Sequence, residues 1–332
     1  MAFEKLGQLG QQAQDWFDLW QQRHPVVAFP ISVWLRNRED RGYEYTALLS
    51  YHGFFSVFPL LTVGVTLLGF FLKGNPTARS KLLDTVFARI PIVGEQLEQQ
   101  IGGLEGNGFV LVIAVGITLW AGIGVVRVAQ DAFNTMWSIS IMHWPAFFPK
   151  LARALGAVVV LGGAFVAATV AAGIAIFAFD LSAVERIANV LTSMLLNALM
   201  LLVVFKVLTV SDVGWRSLVP GAVAGGISLW ALQLLGGVYI ETVILGASAI
   251  YGSFAMAIGL LVWLSLVAKI VLLAAEINVV AAKRLWPRSF TGGNLTEADE
   301  QSFAEVRTRS IRKIGQTTAA TKRHDSSSGT TA

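Results

Sequence analysis

The sequence places ionisable side chains inside a long apolar segment, where each one needs a counter-charge, water or a function. Lys269 lies near the middle of the last apolar run, and Glu276 follows two helical turns later. A charge at the centre of a membrane helix costs roughly 2.5–3.5 kcal/mol on insertion scales. The two residues are about 10 Å apart along a helix axis, too far to pair directly. Lys269 therefore needs an acid, a carbonyl or water from another helix.

A second polar group ends the second apolar run. Arg127 and Asp131 have i,i+4 spacing, and Asn134 follows on the same helix. If both chain ends are cytoplasmic, Arg127, Asp131 and Glu276 fall at a similar depth, which predicts a polar cluster between the second and last helices. The candidate residues for this cluster are Arg127, Asp131, Asn134, Lys269, Glu276 and Asn278. Two readings stay open: an ion-pair network that fixes helix packing, and a substrate or proton site on a translocation path.

The start of the first apolar run holds a third polar group. Pro59 removes a helical hydrogen bond, which predicts that this span is broken or bent. A lone histidine in such a place is more often a packing residue than a proton carrier. The connection before the last apolar run, at 239–252, is expected to be flexible because of Gly246, Gly252 and Ser253. The candidate kink and gate residues are Ser50, Tyr51, His52, Pro59, Tyr251 and Gly252.

Enzymatic chemistry finds little support in the sequence. The four histidines are scattered, no paired carboxylates accompany them, and the chain has no cysteine. Neither a zinc-protease motif, a nucleophile elbow nor a phosphate-binding loop is present. We therefore expect no catalytic residue, no metal and no cofactor, and we predict that the protein is not an enzyme.

The elements that must position these residues are long apolar helices. The chain is 55% hydrophobic and only 14% charged, whereas soluble domains are about 25% charged. Each of six apolar runs is long enough to cross a hydrocarbon core of about 30 Å. The runs are 47–72, 109–126, 151–179, 187–208, 218–238 and 254–282. This pattern predicts an all-α polytopic membrane helix bundle of about six transmembrane helices, with interfacial amphipathic helices.

Three regions follow from the same pattern. Residues 1–46 form a cytoplasmic N-terminal region whose amphipathic helix, from about residue 3 to 22, lies on the membrane surface or against the bundle. Residues 47–285 form the six-helix domain, with an amphipathic outer loop at 73–107. Residues 286–332 are polar, which predicts a disordered cytoplasmic tail with a short helix near 297–313. Glycines in the fifth run (Gly221, Gly225 and Gly226) favour close helix approach.

The distribution of Lys and Arg predicts the orientation. Five basic residues precede the first run and nine follow the last one, whereas the third and fifth connections hold one and none. Basic residues favour the cytoplasmic side, so both termini are expected in the cytoplasm. The first loop, with Lys73, Arg79, Lys81 and Arg89, is the exception.

Several short motifs together resemble the YihY/virulence factor BrkB family of bacterial inner-membrane proteins over residues 25–285. They are Ala47-Leu48-Leu49-Ser50-Tyr51, Phe55-Ser56-Val57-Phe58-Pro59, Asn134-Thr135-Met136-Trp137, Tyr251-Gly252-Ser253, Val262-Trp263-Leu264 and Ala275-Glu276-Ile277-Asn278. The resemblance implies six helices in a bacterial plasma (inner) membrane with both ends inside. An older label of this family is ribonuclease BN, but the sequence offers neither a metal-binding cluster nor a basic domain for RNA.

Two functions remain in competition. The leading hypothesis is transport or flipping of a lipid or another amphipathic envelope component, suggested by the intramembrane charges and the bent first helix. The alternative is a membrane scaffold for envelope proteins that transports nothing. The expected partners are membrane lipids, with a second copy of the chain or envelope proteins as further candidates, and no nucleic acid.

Overall fold

The computed structural model describes residues 2–71, 108–139, 156, 183–209, 213–239 and 253–307. Every regular element in these ranges is a helix and none is a strand, which confirms the all-α class. We number the helices in chain order. They are α1 Ala2–Gln22, α2 Pro25–Glu39, α3 Gly42–Phe71, α4 Gly108–Met136, α5 Ala183–Leu208, α6 Trp215–Tyr239, α7 Ser253–Lys283 and α8 at 297–307.

Three of these helices are long and apolar enough to cross a membrane. Their apolar stretches are Val190–Leu208, Trp215–Gly236 and Ala257–Lys283, in α5, α6 and α7. Helices α3 and α4, with 30 and 29 residues, cover the first two predicted runs. The third run and the outer loop at 73–107 lie outside the described residues, apart from Gly156. The count of six spans therefore stays a prediction.

Close packing between the long helices depends on glycine, as the sequence predicts for the fifth run. A Cβ on Gly221 would overlap the carbonyl oxygen of Ala274 on α7, and one on Gly226 would meet the backbone of Ala198 on α5. The backbone N–H of Gly221 also donates to Asn278 Oδ1 at 2.7 Å. Helix α6 is thus held against both neighbours by small residues and one polar contact.

The bundle core is apolar and joins four of the long helices. Phe133 of α4 and Phe205 of α5 meet edge to face, with ring centroids 5.3 Å apart, and both are buried. Leu218 of α6 and Leu272 of α7 belong to the same cluster. Helix α3 packs against both α4 and α7. This arrangement fixes the ends of α4 and α7 that carry the predicted polar residues.

Helix α3 runs without interruption from Gly42 to Phe71. The predicted break at Pro59 is therefore absent, because the chain stays helical on both sides of this proline. Whether the helix bends there stays a prediction, since the described side chains of α3 end at residue 57.

The segment after α7 corrects a second expectation. The predicted tail at 286–332 was expected to be disordered, but residues 284–307 are ordered and carry buried side chains, among them Leu285, Arg288 and Ser302. The physical reason is a polar network with α1 and α2 that supplies the partners a polar sequence needs. Residues 308–332 lie outside the described part of the chain.

Candidate functional site

The predicted polar residues divide into a buried and an exposed group. Glu276 and Asn278 are fully buried, and Asn134 is 1% exposed. Lys269 and Arg127 are exposed, and Asp131 is intermediate. This differs from the single cluster that the sequence predicts: Lys269 and Glu276 share one face of α7, but Lys269 is exposed, whereas Glu276, two turns further along, is covered by other helices.

The charge of Glu276 interacts with that of Arg36, a residue of α2 outside the predicted set. Burial disfavours the charged guanidinium, but four carboxylates outweigh burial and raise the pKa of Arg36 above its ordinary value. In order of effect they belong to Asp40, Glu276, Glu305 and Glu39.

Arg36 is completely buried and binds groups from α2, α4 and the segment after α7. Its guanidinium donates to Ser302 Oγ at 2.7 Å and to Ser138 Oγ at 2.9 Å. It forms ion pairs with Asp40 at 2.9 Å and with Glu305 at 3.0 Å. Glu305 also accepts from Lys283 Nζ at 2.9 Å, at the end of α7. One arginine therefore connects α2, the end of α4 and α8.

A second buried arginine lies beside the first. Arg288 donates to the two carboxylate oxygens of Glu39 at 2.6 and 2.9 Å, and to Asp299 Oδ1 at 2.9 Å. Ser302 joins the two arginines, since it accepts from Arg36 and donates to Glu39 at 2.8 Å. A planar guanidinium that binds a carboxylate with two parallel hydrogen bonds is the strongest geometry for such a pair.

Asp18 of α1 ends this network. Its carboxylate accepts from Ser289 Oγ at 2.7 Å, from the Phe290 N–H at 2.7 Å and from Thr291 Oγ1 at 3.2 Å. Burial would raise the pKa of Asp18, but these hydrogen bonds and one from Gln21 lower it below its ordinary value. We call this set of residues from α1, α2, the end of α7 and the 284–307 segment the polar network. Its members are Asp18, Arg36, Glu39, Asp40, Lys283, Arg288, Asp299, Ser302 and Glu305.

One sequence signal could have found part of this network. Thr296 and Asp299 form a capping box at the start of α8, in which each side chain bonds the backbone N–H of the other residue, at 3.3 and 3.0 Å. The spacing Thr-x-x-Asp is readable from the sequence. The distant pairings of Arg36 and Arg288 are not, because they join residues more than 240 positions apart.

The kink and gate candidates mostly serve packing where they are described. Ser50 is buried and donates to the Thr46 carbonyl at 2.6 Å. His52 lies against Gly124 of α4, where an added Cβ would overlap its ring, while Tyr51 is 56% exposed. Tyr251 and Gly252 lie outside the described residues.

Lys269 is the unusual residue of α7. It lies 14 positions before the end of the stretch Ala257–Lys283, near its middle, and its side chain is exposed. Ile258, Val262 and Leu266 on the same helix face are also exposed. Lys269 makes no hydrogen bond or ion pair with any residue that the structure describes. The cation therefore stands on an apolar surface without a protein counter-charge in the described ranges.

An apolar groove lies close to Lys269, between α2, α6 and α7. Its volume is about 320 Å³. Its lining comprises Phe29, Pro30, Val33, Trp34, Ala224, Gly225, Ser228, Ile270, Leu273, Ala274 and Ile277. At its rim, the Arg38 guanidinium lies 4.8 Å from the centre of the Trp34 ring. Over the parts of the chain that are described, no cluster of three or more histidines and carboxylates could hold a metal ion.

Comparison with known proteins identifies the family. The model of the virulence factor BrkB family matches residues 33–294, which include the second half of α2, the described long helices and part of the polar network. The chain belongs to the virulence factor BrkB family. It is also 27% identical over 290 residues to UPF0761 membrane proteins of Stenotrophomonas maltophilia strains K279a and R551-3. The aligned region covers 82% of this chain and 65% of each relative.

A more distant relative agrees with this assignment. Inner membrane protein YhjD of Escherichia coli K12 is 24% identical over 139 residues, covering 40% of this chain and 41% of YhjD. No solved structure matches the chain. This BrkB-family chain is therefore a membrane protein, and the names of its relatives indicate no enzymatic activity.

Proposed function

We propose that this BrkB-family protein moves a lipid or another amphipathic envelope component, with an anionic headgroup, from one membrane leaflet to the other. The observation that carries this proposal is Lys269, an exposed cation near the middle of an apolar helix, without an ion pair among the described residues. A charge in this position is expensive unless a partner or water accompanies it.

The geometry favours an anionic partner that comes from the bilayer. Lys269 is about 20 Å along the helix axis from Lys283 at the end of α7, farther than a lysine side chain reaches by extending towards the membrane surface. An anionic headgroup that passes this depth would supply the missing counter-charge. The exposed apolar residues Val262 and Leu266 would contact the acyl chains of the same molecule.

A transfer assay in vesicles tests the proposal. The full chain is reconstituted with a fluorescent phosphatidylglycerol analogue, and the fraction that becomes accessible to an impermeant quencher is followed over time. We expect faster transfer than in empty vesicles, and a loss of roughly tenfold or more in Lys269→Gln, since each 1.4 kcal/mol of lost stabilisation is tenfold in rate. Lys269→Arg keeps the charge and should retain most of the rate.

A matched control removes a cation elsewhere. Arg216 is exposed near the start of α6, so Arg216→Gln makes the same change of charge far from the middle of a span. Its transfer rate should equal that of the unmodified chain. Transfer no faster than in empty vesicles, or an unchanged rate in Lys269→Gln, would contradict the proposal.

A scaffold function has one observation in its favour. The polar residues Asp18 and Gln21 of α1 are buried against the segment after α7, so the apolar side of this helix points outward. Its exposed residues are Trp16, Phe17, Leu19 and Trp20, with exposed fractions of 68%, 40%, 44% and 37%. Such a surface binds either the membrane or a partner protein.

Capture of partners from native membranes tests the scaffold function. A stoichiometric envelope protein that is retained by the full chain and lost in Trp16→Glu would favour it, provided that Lys269→Gln leaves both capture and cellular function unchanged. Failure to recover any stoichiometric partner would contradict the scaffold and leave the transfer proposal untouched.

A further inference from the structure

The groove between α2, α6 and α7 takes most of its lining from helices that are apolar enough to cross a membrane. Two of its three walls belong to the apolar stretches Trp215–Gly236 and Ala257–Lys283. Small residues of α6 (Ala224, Gly225 and Ser228) form one wall, and branched residues of α7 form another. A concave apolar surface between membrane helices is in contact with acyl chains rather than with water, because the surrounding solvent is hydrocarbon.

The rim of the groove is cationic and aromatic. Trp34 is 43% exposed and stacks with Phe290 at a centroid distance of 5.9 Å. Arg38 is exposed, lies over the Trp34 ring and makes no ion pair with a described residue. Tryptophan is enriched where the hydrocarbon ends and the headgroups begin. A guanidinium in this place matches a phosphate group in geometry and charge.

We infer that this groove binds an acyl chain of an anionic phospholipid, whose phosphate lies at Arg38. The apolar walls select a hydrocarbon chain, and the rim selects a negative headgroup. Leu273, in the wall, lies one helical turn from Lys269 on α7. In the proposed function the groove is therefore the site where the lipid is taken up before its headgroup reaches Lys269, and this part of the inference rests on that function.

A pair of adjacent substitutions tests binding. Ser228 and Ile227 are neighbours on α6 and both are exposed, but only Ser228 lines the groove. Ser228→Phe should fill the groove, and Ile227→Phe places the same ring outside it. Arg38→Gln removes the charge at the rim. The full chain is purified in detergent, titrated with phosphatidylglycerol or phosphatidylcholine of equal chain length, and the bound lipids are counted by native mass spectrometry.

We expect one tightly bound phosphatidylglycerol in the unmodified chain and in Ile227→Phe. Ser228→Phe should lose it, and Arg38→Gln should lose the preference for phosphatidylglycerol over phosphatidylcholine by roughly tenfold, the effect of about 1.4 kcal/mol in affinity. Thermal unfolding of each variant shows that it is folded, and Ala224→Leu, a smaller filling change, replaces Ser228→Phe if that variant is not.

Other results would overturn the inference. Equal retention in Ser228→Phe and Ile227→Phe means that another part of the chain, a second copy or a partner fills the groove. Equal binding of both lipids by the unmodified chain removes the role of Arg38. The transfer assay separates the two proposals: bound lipid with no transfer in the unmodified chain refutes the proposed function and leaves the groove site. Normal transfer by Ser228→Phe without bound lipid refutes the groove as the uptake site.

Discussion

At the scale of single residues, the chain buries two arginines in a protein whose charged fraction is small. Arg36 is completely buried and Arg288 is 2% exposed, and each binds carboxylates from distant parts of the sequence. Bringing such a pair together stabilises little by itself, because removing the charges from water offsets the attraction. Removing one partner is different, since it leaves a buried charge without compensation. The arginines are therefore more important for which segments dock than for total stability.

The first prediction concerns Arg288. Arg288→Ala leaves Glu39 and Asp299 without their shared cation, so we expect the free energy of unfolding to fall by about 3–5 kcal/mol. The measurement is denaturant unfolding of the purified chain in detergent micelles. Arg41→Ala is the control, because the pair of Arg41 with Glu44 is 68% and 60% exposed and should contribute nothing measurable. A loss no larger than that of the control would show that the network is not a structural unit.

At the scale of elements, the segment 284–307 is docked by carboxylates whose charged forms the fold stabilises. Burial opposes the charge on Glu305, but its hydrogen bond and attraction to Lys283, with help from Ser138 and Arg36, lower its pKa below the ordinary value of 4.5. The pKa of Asp18 is likewise lowered from 3.8. A lowered pKa in the folded state means that the stabilisation is complete above the ordinary pKa and is lost as pH falls through the folded-state pKa.

The second prediction is a release of this segment by acid. The chain has no native cysteine, so spin labels at Gln12→Cys on α1 and Glu300→Cys on α8 report only the distance between these helices. We expect one narrow distance distribution at neutral pH that broadens in acid, below the ordinary carboxylate pKa values of 4.5 and 3.8, as Glu305 and Asp18 take up protons. Glu305→Gln should broaden it at neutral pH and weaken its pH dependence, whereas Glu44→Gln, on an exposed residue, should behave like the unmodified chain. A distribution that Glu305→Gln leaves narrow at neutral pH would contradict the role of this carboxylate.

The third prediction concerns the contact of α6 with its two neighbours. Gly221→Ala and Gly226→Ala each place a methyl group against the backbone of another helix, so we expect a loss of about 1–3 kcal/mol in the free energy of unfolding. Gly116→Ala on α4 is the matched control, since no atom lies within 4 Å of its added Cβ. That change should be neutral or stabilising by up to about 1 kcal/mol, because alanine favours the helix. Equal stability of all three variants would mean that α6 can move away from α5 and α7.

At the scale of the whole molecule, the sequence predicts the features that depend on hydrophobic periodicity and composition, which are the long helices. The lengths of the apolar runs predict helices near those of α3 to α7, because every backbone group in a membrane needs an internal hydrogen bond. The polar tail was assigned to disorder on the same grounds apart from a short helix near 297–313; the structure has that helix at 297–307, but it also orders residues 286–296. Composition shows that Arg288 and Asp299 cannot build an apolar core, but it does not show that Gln21 of α1 and Glu39 of α2 provide hydrogen-bonding partners for Arg288. The electrostatic interaction of Glu276 with Arg36 joins α7 to α2, and the spacing of residues along α7 alone does not give it.

The last prediction tests the topology, and it uses the absence of native cysteine again. Single cysteines are introduced at Gln12 in the N-terminal region, Ser326 in the tail, Ser80 in the first loop and Ser248 in the fifth connection. With six spans and both ends inside, a maleimide that cannot cross membranes should label Ser80→Cys and Ser248→Cys in intact cells, and Gln12→Cys and Ser326→Cys only after permeabilisation. Ser80 is the decisive position, because its loop holds four basic residues that the positive-inside rule would place in the cytoplasm.

Protection of Ser80→Cys together with labelling of Ser248→Cys would show that residues 47–72 do not cross the membrane as one span. The depth assigned to Lys269 depends on α7 and would be preserved in that case, whereas labelling of Ser326→Cys in intact cells would reverse α7 and place the uptake groove in the outer leaflet.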